Sequence, residues 1–126
     1  MKAQNDPRHK RRQKIVKALF SFSFTPKDKK VNARNLIRPI VDKLPIIDQK
    51  IAIAAPEFPI ERLNRVDLAV LRLAVFELIV EKKEPPKVVI DEAIELAKEL
   101  GSENSPSFIN GALGAILNLN SKIKNT

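Results

Sequence analysis

Residues 64–84, NRVDLAVLRLAVFELIVEKKE, decide the fold. From 66 to 80 the run is almost solidly apolar, interrupted only by Asp67, Arg72 and Glu77. On a helix with Asp67 set at zero, Glu77 and Glu81 fall at about 280° and 320°, while Arg65 and Arg72 fall at about 160° and 140°. Two thin polar seams therefore separate two apolar sectors, and such a helix is covered by other helices on two sides. The alanines and leucines favour helix over a strand of this length. A membrane span is disfavoured, because the apolar run is shorter than about 18 residues and three central charges are costly in lipid. The stretch reads as the central buried helix of an all-α domain, with Val70, Leu71, Ala74, Val75 and Leu78 among its core residues.

The chain of 126 residues is long enough for a single compact domain with its own core. It holds three glycines, and alternating apolar and polar runs are scarce, which argues against β architecture. The absence of cysteine excludes disulfides, thiolate metal sites and a cysteine nucleophile. The single histidine, His9, lies in a basic run and cannot form a histidine-rich metal cluster. The charged N-terminal stretch lacks the apolar core of a signal peptide, so the expectation is a cytoplasmic protein. Residues 1–50 carry 14 Lys/Arg against 4 Asp/Glu, net +10, whereas residues 51–126 carry 9 against 11, net −2. That asymmetry points to one positively charged face suited to a polyanion such as nucleic acid, or else to a merely solvated basic surface.

Asp6-Pro7 opens a first helix as cap and first-turn proline, and the helix is expected to reach about Phe22. Ile15, Leu19 and Phe22 form its apolar stripe, and its cations lie early, against the helix dipole. Residues 25–30 read as a loop. A second helix is expected from about Asn32 to Leu44, kinked or broken at Pro39 and ended by Pro45. Asp48 is positioned to cap a short helix through Ala55, and one further turn is expected at 60–63. Pro85 and Pro86 stop the central helix. Residues 87–100 then form the cleanest amphipathic helix, with Val89, Ala93, Leu96 and Leu100 inward and Asp91, Glu92, Glu95, Lys98 and Glu99 in water. Gly101 reads as its left-handed terminator. Ser105-Pro106 opens the last helix, in which Gly111 and Gly114 suggest close packing against a neighbour. The polar tail from Asn118 is expected to fray, as are residues 1–5.

No catalytic constellation, phosphate-binding glycine loop or metal-ligand spacing is present, so the chain does not read as an enzyme and needs no cofactor. Asp91, Glu92, Glu95 and Glu99 read as a solvated face rather than a metal site.

Three stretches, RHKRRQKIVKALFSFSF (8–24), IERLNRVDLAVLRLAVFEL (60–78) and PPKVVIDEAIELAKELGSENSPSFINGALGAIL (85–117), resemble the NusB family of transcription antitermination factors. The likeness covers the first 24 residues and everything from about Ile46. Between Phe24 and Pro45 it is loose, and this chain is shorter there, as if one helix of the first sub-bundle were reduced. The resemblance implies two small helical sub-bundles around the central helix, residues 1–45 basic and 46–126 completing the domain. It also implies binding of boxA-type single-stranded RNA from ribosomal RNA leaders. The implied partner is NusE, a small-subunit ribosomal protein, within the RNA polymerase antitermination complex, with no membrane involved.

Arg8, Lys10, Arg11 and Arg12 match the family's basic cluster, and cations of this kind hold RNA phosphates. Phe108 and Asn110 lie in the family's RNA-contacting segment. Phe108 is either an exposed platform for a base or plain core, since it shares a stripe with Ala112. Phe20 stands where the family usually has tyrosine, near both the RNA and the NusE surfaces. Asp67 and Glu77 match acidic positions of the central helix and are candidate contacts to NusE. Asn104 replaces a commonly acidic residue near Phe108. Two other classes compete with this reading. One is a NusB-like accessory domain acting with a ribosomal RNA methyltransferase or in ribosome biogenesis; the other is a basic helix on a membrane surface, which the lack of tryptophan and the clustering of cations at one end fit poorly.

Overall fold

The computed structural model describes residues 6–25 and 34–124. They form six α-helices: α1 (Pro7–Phe24), α2 (Arg34–Val41), α3 (Leu44–Ala54), α4 (Arg65–Val75), α5 (Pro86–Leu100) and α6 (Ser105–Lys124). A single 3₁₀ turn, Ile60–Arg62, precedes α4, as expected for 60–63. No strand occurs among the described residues. The expectations for residues 1–5, for the loop at 26–30 and for a helix start at Asn32 lie outside the described residues.

The central helix behaves as its two-sided pattern requires. Every residue from Asp67 to Val75 is buried. Helix α4 packs against α1 on one flank and against α3, α5 and α6 on the others. Ile15, Val16, Leu19 and Phe22 of α1 meet Leu68, Leu71 and Val75 in one continuous core, which Val89, Ala93 and Leu96 of α5 and Ile109, Leu113 and Ile116 of α6 complete. Asn64 caps α4, its side chain accepting from the N–H groups of Val66 at 2.8 Å and Asp67 at 3.2 Å.

Beyond Val75 the helix does not simply continue to the prolines. Phe76–Glu81 widens into a π-helical turn, closed by Lys82 N–H donating to Glu77 O at 2.9 Å. Lys82, at φ 56°, is the one non-glycine residue with positive φ among those described, and it ends the helix. A left-handed lysine costs on the order of 1–2 kcal/mol. The wider turn shifts the helical phase, and Leu78 ends half-buried against the core rather than within it.

Several local expectations are corrected. Helix α2 ends at Val41 with Pro39 inside it, and α3 already begins at Leu44 with Pro45 in its first turn, where proline's missing N–H is harmless. Asp48 is therefore within α3 and does not cap it; its carboxylate takes both Nε and Nη2 of Arg72, at 3.0 and 2.9 Å, tying α3 to α4. Gly101 is extended (φ −96°, ψ −165°), not left-handed. Glycine is needed there for space: a Cβ would lie 2.5 Å from Ser105 Oγ and 2.8 Å from Ala97 O. Gly111 and Gly114 pack against nothing, since a Cβ on either would meet no atom within 4 Å. Helix α6 runs on to Lys124.

Leu71 is completely buried at the centre of α4. Leu71→Ala is expected to cost about 2–5 kcal/mol through lost burial and the cavity left behind, measured by chemical denaturation.

Candidate nucleic-acid interface

Helix α1 opens with Asp6, whose Oδ1 accepts the Arg8 N–H at 2.9 Å, and Pro7 sits in the first turn. That backbone hydrogen bond, followed by the Arg8 side chain, holds the Asp6 carboxyl below the usual aspartate range despite some opposing desolvation. The cap lets a helix begin although its first turn contains no acidic residue to meet the dipole.

Helical periodicity then divides the basic run. Arg8, Lys10, Arg11, Lys14 and Lys17 are exposed and form an outer cationic face. His9 and Arg12 turn inward and are buried, 4% and 8% exposed. They continue the stripe of Val16 and Leu19 towards the N-terminus, at spacings of three and four residues.

Arg12 does not join the outer face with Arg8, Lys10 and Arg11. Its Nε and Nη2 donate to the two oxygens of Glu77 at 3.0 and 2.8 Å, and Nη1 donates to Glu92 Oε1 at 3.2 Å. The Glu77 hydrogen bonds dominate burial and raise the Arg12 pKa above its already high value, so the guanidinium stays charged. Glu77, expected at a partner surface, is itself buried and has both oxygens on Arg12. The physical reason is shared: a residue on the core stripe of one helix meets a carboxylate on the core side of another. Glu92 is corrected in the same way. It is 3% exposed, not solvated, and its other oxygen contacts His9 Nδ1 at 3.0 Å. Glu99 Oε1 contacts His9 Nε2 at 2.7 Å, from a partly exposed position.

This internal chain, Glu99–His9–Glu92–Arg12–Glu77, was missed by reading the basic run as one face. A signal was present: stepping back two helical turns from Leu19 and Val16 lands on Arg12 and His9. The acidic complement, Glu92 with Glu99 seven residues on, shares a face with Val89 and Leu96.

The remaining candidates are distributed over the molecule. Phe20, on α1, is half-buried, with its ring edge-on to the exposed Phe24 at 4.9 Å. Phe108, on α6, is neither open platform nor full core; it is half-buried and edge-on to the exposed Phe58 at 5.4 Å. Asn104 and Asn110 are exposed. Asp67, in the first turn of α4, is buried, and its Oδ1 is the one buried side-chain polar atom without a hydrogen-bond partner among the described residues. A groove of about 270 Å³ opens beside Arg8 and Arg11, floored by Ile15, Leu36, Ile40 and Phe76. Among the described residues no group of three or more His, Asp or Glu could hold a metal ion, and no helix is long and apolar enough to cross a membrane.

Arg12→Ala leaves Glu77 buried without its guanidinium and removes one donor from Glu92, and is expected to cost about 3–5 kcal/mol in urea unfolding. Arg11→Ala, one position along and exposed, is expected to stay within about 0.5 kcal/mol.

Comparison with known proteins agrees with this architecture. The model of the family described as "NusB family" matches residues 2–118. The "Transcription antitermination protein NusB" of Thermotoga sp. (strain RQ2) is 41% identical over 127 residues, covering 87% of this chain and 89% of its own length. The solved structure of T. maritima NusB superposes with a TM-score of 0.77 at 40% identity, covering 90% of this chain and 92% of its own. A structure of antitermination factors NusB and NusE in complex with dsRNA matches with a TM-score of 0.65 at 24% identity, over 88% of this chain and 97% of that one, a likeness of fold.

Proposed function

Since this chain belongs to the NusB family, we propose that it is a transcription antitermination factor that binds boxA-type single-stranded RNA of ribosomal RNA leaders together with NusE. Kinship with a named antitermination protein along nearly the whole of both chains carries the reading. The exposed cations of α1 supply its physical side. Arg8, Lys10 and Arg11 stand on one open face, where they track phosphates of any sequence. The groove beside them has an apolar floor and a rim of mixed charge, Arg8, Arg11 and Lys83 with Glu81 and Glu84; the floor offers a place for a base. Residues 1–45 supply this basic unit, and 46–126 the unit bearing Phe108 and Asn110. The protein works in the cytoplasm within the RNA polymerase antitermination complex, and its role is binding rather than catalysis.

NusE meets the chain around Phe20 and Asp67 in this reading. The unpartnered Oδ1 of Asp67 supports it, because a buried carboxylate oxygen at a helix N-terminus gains from an incoming donor. Glu77 acts in this scheme by holding Arg12 rather than by touching the partner.

The test is a titration of boxA-like, scrambled and duplex RNA against the chain with and without NusE. The boxA-like single strand with NusE is expected to bind tightest; equal binding of all three RNAs, unaffected by NusE, would overturn the reading. Arg8→Ala, Lys10→Ala and Arg11→Ala are expected to weaken every sequence alike, each lowering the log–log salt slope by about 0.7. Phe108→Ala is expected to cost about 1–3 kcal/mol in RNA binding and to lower discrimination between boxA-like and scrambled strands.

A further inference from the structure

Both ring nitrogens of His9 face carboxylates, Nδ1 with Glu92 Oε2 at 3.0 Å and Nε2 with Glu99 Oε1 at 2.7 Å. A neutral imidazole has only one N–H. With both carboxylates ionised, one of these short contacts would then set a lone pair against a carboxylate oxygen, and only the imidazolium donates to both. Each carboxylate is committed elsewhere as well. Glu92 Oε1 accepts from Arg12, and Glu99 Oε1 also receives Gln13 Nε2 at 3.4 Å. The groups around the ring are thus Arg12 and Gln13 on its own helix, Glu92 and Glu99 on α5, and Glu77 behind Arg12. Glu84 lies farther out, 3.7 Å from Arg8. In sequence of contact, Glu99, His9, Glu92, Arg12 and Glu77 alternate in sign when the ring is charged. Without that proton, Glu99 and Glu92 lose a cationic donor that lies between them.

We infer that His9 is a positioning residue for RNA binding: as a cation donating to Glu92 and Glu99 it clasps the first turn of α1 to α5, so the neighbouring Arg8, Lys10 and Arg11 keep one presentation, and affinity falls when His9 loses its proton. The inference rests on the RNA-binding role proposed above. Burial is the largest influence on the ring and opposes its charge, but the hydrogen bonds it donates to Glu92 and then Glu99, with their field, outweigh it and raise the pKa above the usual histidine value. For a raised pKa the sign is fixed. The clasp contributes fully below about pH 6.5, the unfolded-chain value, and is lost as pH rises through the folded value. His9 is the single histidine and there is no cysteine, so the α-amino group is the only other group that ordinarily titrates in this window.

The experiment measures affinity for a boxA-like single strand at fixed salt from pH 6 to 9, while the His9 ring is followed by NMR. For the unaltered chain, affinity is expected to fall about fivefold, a modest coupling between two sites, in step with the ring's own titration. His9→Gln is expected to bind weakly at every pH, and His9→Arg, a permanent cation, to bind without the pH-dependent fall. Glu99→Gln discriminates best. Removing an anion should by itself tighten RNA binding uniformly, whereas loss of the clasp moves the midpoint of the profile to lower pH. Uniform tightening with an unmoved midpoint overturns the inference, as does an unchanged pH profile in His9→Gln. If His9→Gln fails to fold, His9→Arg and Glu99→Gln still decide. Absence of RNA binding by the unaltered chain at every pH defeats the proposed function and the coupling with it, whereas binding without the His9 dependence defeats the clasp alone.

Discussion

A guanidinium taken out of water needs its charge opposed and its N–H groups received, and Arg12 obtains both from carboxylates on two other helices. The apolar contacts that hold α1 on α4 are non-directional and would tolerate some rotation or sliding. The paired contacts from Arg12 to Glu77 are directional, and they set the height and rotation of α1 on the central helix. A second such pair, Arg72 with Asp48, does the same for α3. The central helix is thus bracketed by two forked pairs that leave it five residues apart. Burying charge is seldom a net source of stability, and the return here is one defined register among several that hydrophobic contact would allow.

The RHKRR run shows how one local composition serves two purposes. Helical geometry turns Arg8, Lys10 and Arg11 outward and His9 and Arg12 inward. The outer residues keep their charge available because the inner ones meet theirs inside. The family likeness describes this run as a basic cluster, but the structure separates the buried cations that hold the helix in place from the exposed ones that can meet a polyanion.

Much of this was legible in the sequence. The two-sided apolar pattern of 66–80 gave the central helix, Asp6-Pro7 the start of α1, and the motifs the family. What was not legible depended on contacts distant in sequence. Glu92 has the composition of a solvated residue, and its burial is met by contacts that include His9 and Arg12, 83 and 80 residues away. Gly101 has the position of a left-handed terminator, yet its reason is the approach of Ser105. Gly111 and Gly114 looked like a packing seam but face open space, because helix spacing gives the face and not what lies opposite it. The early start of α3 and the π turn were hidden by prolines, which mark where a helix cannot continue more clearly than where the next one begins.

The clasp on α1 also has a consequence for synthesis. His9 is separated from Glu99 by 90 residues. At about 5–20 residues per second, the ribosome needs on the order of 5–18 s to make the second after the first. Glu77 is made partway through that interval and Glu92 near its end, so the basic helix emerges first and gains its last carboxylate partner only when α5 is nearly complete. Contacts this remote in sequence slow folding by the entropy of closing so long a loop, despite the all-helical architecture. For those seconds the nascent chain presents all its N-terminal cations, inner and outer alike, beside a particle made largely of RNA.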